Sequence, residues 1–517
     1  MRQARKSSPG TGSRATFLYL SAAVLATFVY FLLPEIPQDV LYIFVAASAM
    51  GVTLVGARWQ PAGRGLPLYL LAGGLLMALV GEVIYAVYED VLIEDPFPSL
   101  ADVFFVANYP FFAAALVLLI RRRTPGRDWG GITDAAIITT GVGVLSWIFL
   151  MEPYADDLTL PLGERLLSIS YPLMDLLLLA VAARLLVGPG ARAPAYHFIG
   201  LSLMLYLIAD TVYAALKLAD AYESGHPVDA VYMLSYVLIG VAALHPSMPV
   251  LSEPGPDPET RLTGQRLVLF AAAALAAPLA LAVQEARGEP VETPVVVGGS
   301  VVLFLLVLVR LAGFVRRHER AVARERILRE AGAALVSALN RESIHAAALE
   351  AALELMNNEP RPRAYIAAAT GEHLVVEAVA GDAATSAKDV RIDLRHLPDS
   401  TYLALLEMRP VEIWDADTPI LGQNLGDDTW SGTAVLMCPL RGGEGLGGAL
   451  LVVSGSRFSE ELKETLEALG SQVSLALESV ALAEDLHRRR SEARSGPWSR
   501  TPPTLLPYSK PMARCNT

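Results

Sequence analysis

Residues 73–86 read GGLLMALVGEVIYA and 101–116 read ADVFFVANYPFFAAAL; further on, 199–214 read IGLSLMLYLIADTVYA and 228–244 read VDAVYMLSYVLIGVAAL. The second pair repeats the first. Glu82 aligns with Asp210 and Tyr85 with Tyr213 at an offset of 128, and Asp102 with Asp229 and Tyr109 with Tyr236 at 127. Each copy is two apolar segments joined by a short loop, so the repeating unit is a helical hairpin. Between the copies a third hairpin carries Tyr171-Pro172 where the first carries Tyr109-Pro110, giving units of 62–65 residues in parallel orientation. A segment of ~20 apolar residues is long enough to cross a ~30 Å hydrocarbon core. The repeats therefore define a polytopic α-helical membrane domain built from hairpins.

Ten such runs are expected, at 15–33, 40–56, 66–88, 100–120, 132–150, 167–187, 196–216, 229–244, 267–283 and 294–311. The eighth is short and the ninth contains Pro278. Composition agrees: 53% of the 517 residues are hydrophobic, 18% are charged, and mean hydropathy is +0.42. That is too little polar surface for a purely soluble enzyme of this size. A net charge of −12 argues against nucleic acid as a partner. Cys438 and Cys515 are too few for a disulfide framework and have no zinc-type spacing.

Basic residues alternate from loop to loop. Arg2, Arg5, Lys6 and Arg14 precede the first run; Arg58 and Arg64, then Arg121 to Arg123 with Arg127, then Arg184 and Arg192, then Arg261 and Arg266 mark every second loop. The intervening loops are acidic, with Glu89-Asp90 and Glu94-Asp95, then Glu152 and Asp156-Asp157. Basic loops stay on the cytoplasmic side, so the expectation is an even number of spans in the inner (cytoplasmic) membrane with both termini cytoplasmic. The first run is too long for a cleavable signal peptide, and Pro34-Glu35-Ile36-Pro37 offers no small-residue cleavage site.

The repeated acids lie toward the outer ends of their helices with tyrosines a turn away, and Asp175 sits at a similar depth in the sixth run. Ionisable groups inside a span are costly and usually face the bundle interior. One reading is an outward-facing pocket for an unknown small ligand or cation, lined by Glu82, Tyr85, Asp102, Asp175, Asp210, Tyr213 and Asp229. The simpler and preferred reading is hydrogen bonding between helices, with several acids reaching interfacial water. A transporter or channel would use the same acids, but no inverted repeat with broken helices is present.

Beyond 311 a charged helix leaves the last run, with Phe314, Ala321, Leu328 and Leu335 seven apart and no Pro or Gly run before Pro360. A signalling helix over 312–332 and a folded domain over 333–487 are expected. AYIAAAT (364–370) and HLVVEAVAG (373–381) read as strands of a hairpin about Gly371. PVEIWD and AVLMCPLRGGEGLGGALLVVSG follow as further strands, then RFSEELKETLEALGSQVSLALESVALAEDL as a long helix. In that helix Leu466, Leu469, Val473, Ala476, Val480 and Ala483 alternate three and four apart, a heptad seam of which part is expected to pack on the sheet and the portion beyond Ser479 to pair with a second copy.

The order of a proline-containing strand, a turn, a G-x-L-x-V strand and an F-[ST]-x-E helix start resembles a bacterial GAF domain over 330–487, an α/β fold. The resemblance implies a small-ligand pocket over the sheet and a homodimer through the flanking helices. No cyclic-nucleotide signature or bilin-attaching cysteine accompanies it, so no cofactor is expected. Cys438, on an apolar strand, reads as a buried structural thiol. His373 and His396 are expected at turn or surface positions without ligand-like partners, and Trp414 and Trp430 as core filling. No catalytic set is expected: there is no Ser-His-Asp set, P-loop or paired-carboxylate motif.

Residues 489–494, RRSEAR, resemble the lead-in to a PAS domain, whereas 495–517 are Pro- and Ser-rich and aperiodic. The expectation is a disordered tail produced by a frameshift. Together these features resemble the input half of multi-span bacterial sensors, with a lost GGDEF–EAL output acting on cyclic di-GMP. A sensor histidine kinase is the alternative output, and a transporter or channel with a regulatory GAF domain the alternative class. With no GGDEF, EAL or kinase box, the 517 residues are not expected to be an enzyme.

Overall fold

The computed structural model describes residues 9–94, 96–124, 129–188, 192–252, 264–288, 293–381, 389–414, 433–443 and 445–494. Arg127, Arg261, Trp430 and the 495–517 tail therefore lie outside the described residues. The chain divides into two units, Met1–Val315 and Arg316–Thr517.

The first unit is helical: α1 (Pro9–Tyr30), α2 (Glu35–Trp59), α3 (Leu66–Ala86), α4 (Leu100–Arg123), α5 (Trp129–Ser146), the short α6 (Glu152–Asp156), α7 (Leu162–Val187), α8 (Pro194–Leu218), α9 (Pro227–Leu244), α10 (Gly264–Arg287) and the start of α11 (Thr293–Ser337). Nine helices among the described residues are long and apolar enough to cross a membrane, and Arg14–Tyr30 forms a shorter apolar helix. Starts and stops follow local chemistry. Pro occupies the first turns of α3, α8 and α9, where its missing N–H costs nothing. Ser99 and Asp102 form a reciprocal capping box at the start of α4.

The hairpins pack as pairs, α3 on α4 and α8 on α9. Leu68, Leu71 and Leu75 share one core with Phe112, Leu116 and Leu119. Gly74 is needed for that approach, since a Cβ there would sit 2.4 Å from the Phe112 ring. The short eighth run becomes α9, which packs against α1, α2 and α8. With 72% of its apolar window buried, α9 is enclosed by protein rather than by solvent or lipid. A separate small core, Val144, Ile148, Ala277, Ala280 and Val296, joins α5, α10 and the start of α11. Helix α10 continues through Pro278. Arg310 on α11 forms a buried two-pronged ion pair with Asp134 on α5.

The unbroken helix expected up to Pro360 is corrected: α11 stops at Ser337 and α12 (Arg341–Leu355) begins afresh. Asn340 explains the break. Its side chain accepts from Ser343 N at 2.8 Å while Ser343 Oγ accepts from Asn340 N at 3.3 Å, a cap that outcompetes helix continuation.

The second unit wraps a six-stranded antiparallel sheet. Its strands are β1 (Arg363–Thr370), β2 (His373–Gly381), β3 (Arg391–Asp393), β4 (Val411–Trp414), β5 (Ala434–Gly442) and β6 (Gly445–Ser454), in spatial order β3-β2-β1-β6-β5-β4. Helix α13 (Asp399–Leu406) precedes β4, and α14 (Glu460–Arg494) closes the unit. The β1–β2 hairpin turns at Gly371, whose φ is +65°. Period-two alternation sends Ala364, Ile366, Leu436, Cys438, Leu450 and Val452 to one face, against α12 and α14. Tyr365, Ala367, Val435, Met437, Leu451 and Val453 form a second core with Leu405 of α13. Gly448 permits close pairing, because a Cβ there would lie 2.3 Å from the Ala367 carbonyl oxygen.

The heptad seam is also corrected. Leu466, Leu469, Val473, Ala476 and Val480 are buried in the core of their own unit, with Ala331, Leu335 and the sheet, while Ala483 alone of the six is exposed. The three-four spacing is the inward stripe of an amphipathic helix.

Candidate functional site

Each helix around the centre of the first unit presents a polar stripe at helical spacing. On α8 it is Tyr206, Asp210, Tyr213 and Lys217; on α9, Asp229, Tyr232 and Tyr236; on α4, Asp102, Phe105 and Tyr109; on α7, Ser168, Tyr171 and Asp175. Steps of three and four residues keep each set on one helical face. These faces converge on a cavity of about 490 Å³. Glu82, Tyr85, Asp102, Asp175, Asp210, Tyr213 and Asp229, all seven residues singled out in the sequence, line it.

Tyrosine hydroxyls hold the carboxylates. Tyr109 OH stands 3.0 Å from Asp175 Oδ1 and 2.9 Å from Asp210 Oδ2, and Tyr232 OH donates to Asp210 Oδ1 at 2.6 Å. Tyr171 OH donates to Asp102 Oδ1 at 2.6 Å, linking α7 to α4. Asp229 accepts from Tyr30 OH at 2.9 Å, Tyr222 OH at 3.1 Å and the Gly225 amide at 3.0 Å. Asp102 and Asp229 each also sit in the first turn of a helix, where a carboxylate suits the exposed amides. Part of their role is thus to start α4 and α9.

The cavity holds more than the repeat disclosed. Asp39, Glu89 and Glu164 add carboxyl groups, and Tyr30, Tyr42, Tyr206, Tyr222 and Tyr232 add rings to those of the repeat pair Tyr109 and Tyr236. Tyr206 packs edge-on against Tyr109 and Tyr232. Lys217, the one basic residue of the lining among the described residues, lies 5.9 Å from the ring centre of Tyr213 and 5.4 Å from that of Tyr222. The stripes on α8 and α9 contained a readable signal for Tyr206, Lys217, Tyr232 and Tyr236. Tyr30 and Asp39 come from elements outside the repeat, and Tyr222 from the loop of its second copy, so they carry no such signal.

In the second unit Cys438 is 1% exposed, and burial pushes its thiol up to about 12. It is a packed thiol, not a nucleophile. Trp414 packs at the edge of the core with Arg457 over its ring at 5.3 Å. The two histidines expected to lack partners share one: His396 lies 3.5 Å and His373 3.9 Å from Asp393. Strand β3 delivers Asp393 opposite His373, a pairing that sequence distance hides. Among the described residues no group of His, Cys, Asp and Glu is arranged to hold a metal ion.

No family model matches the chain, and no curated protein matches it. Its structural neighbours are GAF domains. It is similar to the GAF-B domain of DevS from Mycobacterium smegmatis, with 20% identity over 29% of this chain and 99% of that chain at a TM-score of 0.23. It is similar to the blue-light absorbing form of the PixJ GAF domain of Thermosynechococcus elongatus, with 19% identity, 29% and 93% coverage and a TM-score of 0.25. It is also similar to the phycocyanobilin-bound GAF domain of a cyanobacterial phytochrome, with 17% identity, 31% and 96% coverage and a TM-score of 0.26.

Proposed function

We propose that this chain is the input portion of a membrane-embedded signalling protein. The polar cavity of the first unit receives the signal, and the GAF-type second unit relays it to an output outside these 517 residues. The observation that carries this reading is the cavity itself: among the described residues eight carboxyl groups line it, Asp102 and Asp229 buried and the rest partly exposed, and ionisable groups within an apolar bundle are costly unless they have a use. The alternation of basic and acidic loops supports an inner-membrane orientation with both ends cytoplasmic. The resemblance to multi-span bacterial sensors supports an output in cyclic-di-GMP turnover, with the chain as it stands lacking enzymatic activity. The second unit is a homodimer through its flanking helices. With the expected seam buried, the pairing surface is instead Leu475, Leu482 and Leu486 on α14, spaced seven and four apart and 57–68% exposed.

A reporter fused after Arg192 should read cytoplasmic and one between Glu89 and Glu94 external. The Glu82→Gln, Asp210→Asn double variant, joined to a cyclic-di-GMP output, should shift signalling while inserting normally. Unchanged signalling with normal insertion would defeat the sensor reading, as would ligand flux through reconstituted vesicles.

A further inference from the structure

The cavity's chemistry specifies its occupant more closely than "a small ligand". Its volume of about 490 Å³ falls in the range of sites for small organic molecules, not bare ions. The carboxylates are spread along the walls, and no three of them converge as metal ligands. Tyrosine hydroxyls steady them by hydrogen bonds but bring no positive charge of their own. Against eight carboxyl groups the lining supplies one cation, Lys217.

Lys217 itself is a second, independent pointer. The protein lays its own primary ammonium over two tyrosine rings of the lining, Tyr213 and Tyr222. The negative face of an aromatic ring attracts such a group even at an exposed position, which is where Lys217 lies. The site therefore already recognises an alkylammonium. The acids also fall into separate groups: Asp175 with Asp210 about Tyr109, and Asp229 held by Tyr30 and Tyr222. Two anchoring points in one cavity call for more than one positive charge on one flexible molecule.

We infer that the cavity binds an organic ammonium ion carrying two or more charges, a di- or polyamine, with one ammonium group on the Asp175–Asp210 pair, another on Asp229, and its methylene chain along the tyrosine rings. This assignment rests on the proposed sensory role only for its biological use; binding is tested separately. The test is calorimetric titration of the purified full-length chain in lipid nanodiscs with putrescine and spermidine, with n-butylamine and magnesium chloride as controls. Saturable binding of the diamine or triamine at least tenfold tighter than n-butylamine is expected. Asp210→Asn should weaken it at least tenfold, and Lys217→Gln should strengthen it by freeing the two rings. Tyr213→Leu guards against misfolding of the acid variant: it keeps every carboxylate yet should also weaken binding. No saturable binding, equal affinity for n-butylamine, or preference for magnesium would each overturn the inference. Diamine binding with unaltered output would uphold the ligand and defeat the sensor role instead.

Discussion

Asp134 and Arg310 show how one side-chain pair fixes a contact that packing alone leaves thin. Both are buried, and the guanidinium meets the carboxylate through two of its nitrogens. Removing one partner strands the other charge, which typically costs about 3–5 kcal/mol, whereas replacing both with apolar groups is often neutral. Asp134→Ala should therefore lower the thermal midpoint of the detergent-solubilised chain sharply, and the Asp134→Leu, Arg310→Met double variant should recover most of it. Equal losses in both would sink the argument. His345 is a second instance, in the other unit. Burial holds its imidazole below the ordinary value of 6.5, with Glu377 at 3.5 Å opposing. The unfolded chain takes up a proton as pH falls through about 6.5 while the folded chain does not, so this contribution is full above that pH and declines below it. Urea midpoints of a 330–494 fragment should fall from pH 7.5 to 5.5, and less steeply in His345→Gln. An identical slope in the variant would remove His345 from the account.

Elements reveal which inferences a periodic pattern supports. The three-four spacing on α14 correctly marks one apolar face, but spacing alone does not say what covers it. The answer lay in the sheet, whose strands are apolar on both faces and so demand a helix layer on each. Leu469→Ala should cost about 2–5 kcal/mol in a urea melt of the same fragment, because Leu469 is fully buried; Leu475→Ala, on the exposed face, should leave the melt unchanged but weaken self-association. A large loss of stability in the second variant would mean the faces are misassigned. The cavity was legible for the same reason: acids and tyrosines three, four and seven residues apart had to share a face. What escaped was pairing between elements. Tyr30 meets Asp229 across 199 positions, and Tyr109 meets Asp210 across 101; no local pattern encodes a contact at such range. The turn of wider helix at Val87–Leu92, which carries the cavity residue Glu89, was equally hidden, since one extra residue per turn leaves no compositional trace.

At the scale of the whole molecule, α11 is the one helix that begins in the first unit and ends in the second. Its 45 residues form one continuous helical rod, with Arg310, clasped by Asp134, in its first half and Leu335, packed in the second unit's core, near its C-terminal end. Between them, 316–326 is charged and almost wholly exposed. Such a rod has an angular phase. One alanine inserted after Arg320 advances everything beyond it by about 100°, whereas seven bring it back to within about 20°. Joined to its output, the protein should therefore respond to insertion length as an oscillation: one, two or five residues scrambling the response, and four or seven restoring much of it. A response that fell smoothly with length would mean that the rod merely tethers; an oscillating one would make it a crankshaft, set at Arg310 and read beyond Leu335.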